Sequence, residues 1–248
     1  MTTLPKINPK HEVEKIVDFL KTIQKKTRIN KVVIGLSGGV DSTTVYYLLK
    51  KAYKPENIIG VGLSYNSIKS IVNEFEARIP NFFHFWGRGP TVTKNFGIEP
   101  HKLVRRGNII ARVRMIILFD LAKKHNALVC GTENKSEKLL GYFTRFGDAA
   151  SDIEPITHLY KTQVYQLAEY LKVSKKIIKA KPTAGLWKGQ TDEDELGFTY
   201  KEADQILHLY FDKKMPTKEI KKSGYKNVEK IIKRFLENKF KQETPYSL

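Results

Sequence analysis

Between Lys31 and Ser37 the chain reads Val-Val-Ile-Gly-Leu, with no polar side chain among those residues. A short β-branched run of this kind, Lys31–Leu36, is satisfied as a strand buried on both faces, and such strands belong to parallel sheets. Asn57–Leu63 (NIIGVGL) and Ala127–Gly131 (ALVCG) repeat the pattern, and Asn81–Trp86 is a further expected strand. Helical periodicity fills the intervals. Val13, Ile16, Val17, Leu20 and Ile23 stripe His11–Lys26. Asp41–Lys51 reads as a helix, and Ile109, Val113, Ile116, Ile117 and Leu121 stripe Asn108–Lys124. Strands alternating with helices through right-handed crossovers predict an α/β fold: a doubly wound, mostly parallel sheet with helices on both faces. Beyond Thr162 the chain is expected to be mainly helical, with a loop at 183–197 (TAGLWKGQTDEDELG).

The length of 248 residues, with neither internal repeat nor low-complexity linker, points to one domain over residues 1–248. No apolar run approaches the roughly 20 residues of a membrane span, and the N-terminus lacks the apolar core of a secretory signal. A single cysteine, Cys130, excludes an internal disulfide framework. The expected location is therefore the cytoplasm. The net charge of +18 is carried mostly by scattered lysines. That distribution describes a solvated surface tolerant of anionic partners, and nucleic acid is not the expected one.

In open parallel sheets ligands collect at the carboxyl ends of strands. The turn after Leu36 reads Ser37-Gly38-Gly39-Val40-Asp41-Ser42. Two glycines let backbone amides approach an anion, the helix start adds its positive dipole end, and two serines supply hydroxyls. The turn is not a Walker A loop, since no Lys-Ser or Lys-Thr follows, and it is not G-x-G-x-x-G. Asp41 would serve as an N-cap, yet a cap explains neither the glycines nor the serines. A carboxylate is tolerable beside phosphates when a cation lies between them, and magnesium is commonly held by one or two carboxylates plus phosphate oxygens. Asp41 therefore points to magnesium–pyrophosphate.

SGGVDS resembles the pyrophosphate loop of the ATP pyrophosphatase superfamily, whose fold is the Rossmann-like adenine nucleotide alpha hydrolase type. GTENKSEKLLGYFTRFGDAASDIEPITHLYK (131–161), NIIARVRM (108–115) and KPTAGLWKGQTDEDELG (181–197) resemble the ammonia-dependent NAD synthetases within it, over about two thirds of the chain. That resemblance implies ATP-dependent amidation of deamido-NAD by ammonia through an acyl-adenylate, releasing AMP and pyrophosphate. It implies that Gly35, Leu36, Ser37, Gly38, Gly39, Val40, Asp41 and Ser42 hold the ATP phosphates, with Thr132, Lys161 and Thr183 also on ATP. Asp41 and Glu137 would be magnesium ligands. Arg112, Arg145, Asp152 and Lys239 would contact deamido-NAD, and Asp148 would position or deprotonate ammonium. A homodimer is implied, and no glutaminase domain is expected in 248 residues. The stretch 64–107 departs from the family, with Leu63-Ser64-Tyr65-Asn66 where a proline turn is usual, and Asn238-Lys239 replaces the usual His-Lys. Two other readings stay open on the sequence: another pyrophosphate-loop ligase, such as a tRNA-modifying one, and a basic nucleic-acid-binding protein with degenerate catalysis.

Overall fold

The computed structural model describes residues 3–63, 100–187, 189–243 and 245–246. Among these, three parallel strands form a sheet in the order β2-β1-β3: β1 is Val32–Gly35, β2 is Ile58–Val61 and β3 is Leu128–Cys130. Register pairs Val33 with Ile59 on one side and with Val129 on the other. The sheet is extended by an isolated parallel bridge from Cys130 to Ile153. The expected strand at Asn81–Trp86 lies outside the described residues.

The lack of polar side chains in β1 follows from its position. Val32 and Ile34 face a core built from α1 (Pro9–Thr27), α2 (Val40–Ala52) and α5 (Lys161–Tyr170). Val33 faces the other way, with Val129 and Ala122, under α3 (Pro100–His125). Burial of each such side chain contributes about 1.5–3 kcal/mol, so a one-residue slip of this strand would exchange both faces. Helices thus cover both faces of the parallel sheet.

α1 has the cap its sequence advertises: Asn8 Oδ1 accepts from His11 N at 3.3 Å, with proline at the first helical position. α3 begins eight residues before the striped segment starts, at Pro100 rather than Asn108. A second core joins α4 (Lys135–Leu140), α7 (Asp192–Leu196), α8 (Tyr200–Leu207) and α10 (Val228–Asn238), with α6 (Lys175–Ile178) and α9 (Thr217–Lys221) between them in sequence. α7 corrects the reading of 183–197 as loop throughout. Thr191 caps it, and four acids in its first turn meet the positive helix end. No helix among the described residues is long and apolar enough to cross a membrane.

Candidate active site

The carboxyl ends of β1 and β3 open on a cleft of about 780 Å³. Its floor is the turn 35–42. Gly38 adopts φ +81°, a conformation that favours glycine, and the turn places the first amides of α2 at the cleft. α2 starts at Val40 with Gly39 as its N-cap, so Asp41 lies inside the first turn rather than capping it. Ser37 and Ser42 hydroxyls lie 3.1 Å apart, and Ser37 Oγ accepts from Gly39 N at 3.2 Å.

Asp41 is held from both ends. Asn134 Nδ2 donates to Oδ1 at 3.0 Å, and Lys161 Nζ donates to Oδ2 at 2.6 Å. The same ammonium donates to Glu137 Oε1 at 3.0 Å. Asn134 is the N-cap of α4, accepting from Glu137 N at 3.0 Å, while Glu137 Oε2 accepts from Asn134 N at 3.3 Å. This reciprocal capping box fixes Glu137 by local geometry. Three elements thereby converge on one point: α2 supplies Asp41, α4 supplies Glu137, and the first residue of α5 supplies Lys161.

Lys161 is 2% exposed. Burial alone would lower its pKa, but the Asp41 and Glu137 carboxylates outweigh that and push it up, so the ammonium is permanent at neutral pH. Burial pushes Glu137 up to about 8, against the pull of Lys161 and with a further rise from Asp41. A further cation beside that carboxyl would favour its ionised form. Among the described residues no group of three or more His, Cys, Asp or Glu forms a metal cage. Two carboxylates converging beside a phosphate-type turn instead fit magnesium, which completes its shell with phosphate oxygens and water.

Thr132, Thr183 and Asp148 also line the cleft. Asp148 Oδ1 accepts from Thr144 N at 2.9 Å, and burial raises its carboxyl pKa, which makes it a better proton acceptor than a surface aspartate. The four expected dinucleotide contacts are not among the lining residues. Arg112 Nε donates to the Arg145 carbonyl at 3.3 Å, and the Arg145 guanidinium lies 5.1 Å from the Phe240 ring centroid. Asp152 Oδ2 accepts from Val129 N at 2.7 Å, which ties it to β3. Lys239 pairs with Glu243 at 3.3 Å. Two residues on, Lys241 lines the cleft and donates to the Gly141 carbonyl at 2.6 Å.

Several residues of the site carried no functional reading in the sequence. Asn134 was detectable as a cap three residues before a glutamate. Asp192 lines the cleft and accepts from the Tyr142 and Tyr200 hydroxyls, each at 3.2 Å. Glu154 had no signal. Its Oε1 lies so close to Gly131 that a Cβ there would meet it at 1.8 Å, and its Oε2 accepts from Glu133 N at 3.1 Å. Cys130 is buried, and burial pushes its thiol well up, which removes it as a nucleophile at neutral pH.

Glu133 provides a test of the electrostatics at this strand end. Its Oε1 is buried with no partner among the described residues, and burial, then Glu154, push its carboxyl up from 4.5 to about 8. The folded chain thus holds its proton longer than the unfolded chain. Stability is lost as pH rises from about 4.5 to about 8. Glu133→Gln abolishes that titration, so its stability relative to the parent should rise by roughly 3–4 kcal/mol between pH 5 and pH 8. Urea denaturation at both pH values checks this; a difference independent of pH would refute it.

Comparison with known proteins agrees with this geometry. The NAD synthase family model matches residues 12–245. An NH(3)-dependent NAD(+) synthetase of Fusobacterium nucleatum is 38% identical over 250 residues, covering 96% of this chain and 95% of that protein. The NH3-dependent NAD synthetase structure from Campylobacter jejuni, in complex with the nitrate ion, aligns with TM-score 0.72 at 28% identity, covering 98% of this chain and 100% of the other. The NMN synthetase structure from Francisella tularensis aligns with TM-score 0.71 at 31% identity, covering 98% and 99%. A match of this extent, on a cleft whose turn and carboxylates lie where the motifs require, shows that the chain belongs to the NAD synthase family.

Proposed function

We propose that this cleft carries out ammonia-dependent NAD synthesis, amidating deamido-NAD at the expense of ATP. The observation that carries the reading is the meeting of Asp41, Glu137 and Lys161 at the mouth of the glycine turn, in a chain of this family. A carboxylate is a poor electrophile and must be activated. One nicotinate carboxylate oxygen attacks the α-phosphorus of ATP, and the bond to pyrophosphate breaks. Ammonia then attacks the acyl carbon, the bond to the AMP oxygen breaks, and an amide remains.

Each stage loads charge where the chain has donors. The turn amides, the Ser37 and Ser42 hydroxyls and Lys161 face the phosphates, acting as preorganised electrostatic stabilisation. Thr132 and Thr183, which line the same cleft, are assigned to orient the nucleotide. Magnesium, held by Asp41 and Glu137, would neutralise the pyrophosphate. Asp148 attracts ammonium and accepts its proton. Arg112, Arg145, Asp152 and Lys239 are assigned to the dinucleotide by family resemblance. The 183–197 segment, clamped by Arg114 through the Ala184 and Gly185 carbonyls at 3.3 and 3.2 Å, is assigned to keep water from the adenylate.

The chain is assigned to the cytoplasm, as one domain and as a homodimer through α3, where Ile116 is 60% and Val104 41% exposed. Sedimentation equilibrium giving the mass of one chain would refute the dimer. The Francisella neighbour supports a second substrate reading, the carboxylate form of the mononucleotide. Rates of NAD and nicotinamide mononucleotide formation, measured side by side with ATP, magnesium and ammonium, decide between them. A larger kcat/KM for deamido-NAD is expected, and failure to amidate either would overturn the proposal.

A further inference from the structure

α5 starts without a small polar cap. Its N-cap is Tyr160, and the first residue inside it is Lys161. The first amides of a helix have no partner within it, so these must be satisfied from elsewhere. Lys161 N donates to Ser136 Oγ at 2.8 Å, and Thr162 N donates to Asp204 Oδ2 at 2.8 Å. Asp204 reaches across from α8. Its Oδ1 also accepts from Ser136 Oγ at 2.5 Å, and its Oδ2 accepts from Thr162 Oγ1 at 2.8 Å.

Asp204 is fully buried. Its neighbours Ala203, Ile206 and Leu207 form part of the second core, where an apolar residue would be the ordinary occupant. A carboxylate in that place is costly unless its oxygens are filled, and both are filled by the start of α5 and the second residue of α4. Burial pushes the carboxyl up to about 6, and the bonds from Ser136 and Thr162 oppose that rise. An acid at a helix N-terminus also complements the dipole.

The two residues that Asp204 bonds are each adjacent to a member of the reactive cluster. Ser136 precedes Glu137, and Thr162 follows Lys161. One carboxylate therefore sets the spacing of α4 and α5 at the point where Lys161 Nζ must reach both Asp41 and Glu137. We propose that Asp204 is a positioning residue for catalysis: through Ser136 and Thr162 it locks the backbone of Lys161, and so the place of its ammonium. This rests on the role given to Lys161 above, and it extends the active site into a core that does not touch substrate.

The test uses the full chain in two variants. Asp204→Asn preserves shape but offers an amino group where Ser136 or Thr162 needs an acceptor. Ser136→Ala removes the bridging hydroxyl with a smaller perturbation of the core. Hydrogen exchange in the ligand-free protein is expected to quicken at least tenfold at residues 161–163 in both variants, with α1 and β1 unchanged. Steady-state kinetics should show kcat reduced about 10- to 100-fold for Asp204→Asn and several-fold for Ser136→Ala, with KM for deamido-NAD within threefold of the parent. Exchange that quickens equally throughout the second core, or kcat within twofold of the parent in both variants, would overturn the proposal. The exchange arm needs no substrate, so it decides the positioning claim even where the assigned reaction fails.

Discussion

Asp41→Asn is expected to lower kcat for NAD formation about a thousandfold while leaving the thermal midpoint within a few degrees of the parent. The substitution is isosteric. Its amide oxygen still accepts from Asn134 Nδ2, which holds Oδ1 at 3.0 Å. The amino group then faces Lys161 Nζ, the donor now 2.6 Å from Oδ2. That contact becomes donor against donor, and the ammonium shifts toward Glu137. The cost to stability is modest because Lys161 retains one carboxylate. The cost to turnover is large, because the site loses a negative ligand for the cation that offsets the triphosphate. Removal of one preorganised electrostatic element typically costs about 2.7–4 kcal/mol of barrier, a factor of 10² to 10³. Steady-state rates at saturating ATP and magnesium, beside a melting curve, measure both effects. A near-native rate would remove Asp41 from the mechanism.

Lys161→Met should be worse for the fold and equally bad for the reaction. The ammonium is buried and bridges two carboxylates that are themselves largely shielded from solvent. Deleting one member of a buried charge cluster typically costs about 3–5 kcal/mol, since the remaining charges stay behind unpaired. In a chain of this size that is a fall of roughly 10 °C in melting temperature. Glu137, already pushed up to about 8, rises further once Lys161 is gone. The two proteins therefore diverge above the parent's value of about 8, where the parent's Glu137 ionises and the variant's does not, and the penalty should be larger at pH 9 than at pH 7. A divalent cation binding between Asp41 and Glu137 would replace the lost charge. Magnesium is accordingly expected to raise the melting temperature of this variant by several degrees more than that of the parent. Equal shifts in both would argue against a cation at this carboxylate pair.

The parts of this arrangement legible in the sequence are those written in neighbouring residues. β1 announces itself because burial on both faces leaves no position for a polar side chain, and the turn after it because the φ of Gly38 favours glycine. α7 was equally written in place, as a threonine followed by acids, but its glycine-flanked setting made it read as loop. What stayed hidden is non-local. Asp204 lies on a helix face between apolar residues, 68 positions from Ser136 and 42 from Thr162, and only folding reveals what it caps. Glu154 likewise takes its meaning from a backbone that leaves no room for a Cβ at Gly131. At the carboxyl end, family resemblance implied a substrate contact at Lys239, and the structure adds Lys241 as a lysine that lines the cleft.

The central claim is that the carboxylate of deamido-NAD is adenylated at the Asp41–Glu137–Lys161 cluster before ammonia arrives. Isotope transfer tests it most directly. Deamido-NAD labelled with ¹⁸O in its nicotinate carboxylate is turned over with ATP, magnesium and ammonium, and the phosphorus products are resolved by ³¹P NMR. The expected result is one ¹⁸O atom in the phosphoryl group of AMP, with unlabelled pyrophosphate and no ADP. Label retained in the amide product without transfer to AMP, or ADP and phosphate as the nucleotide products, would contradict it.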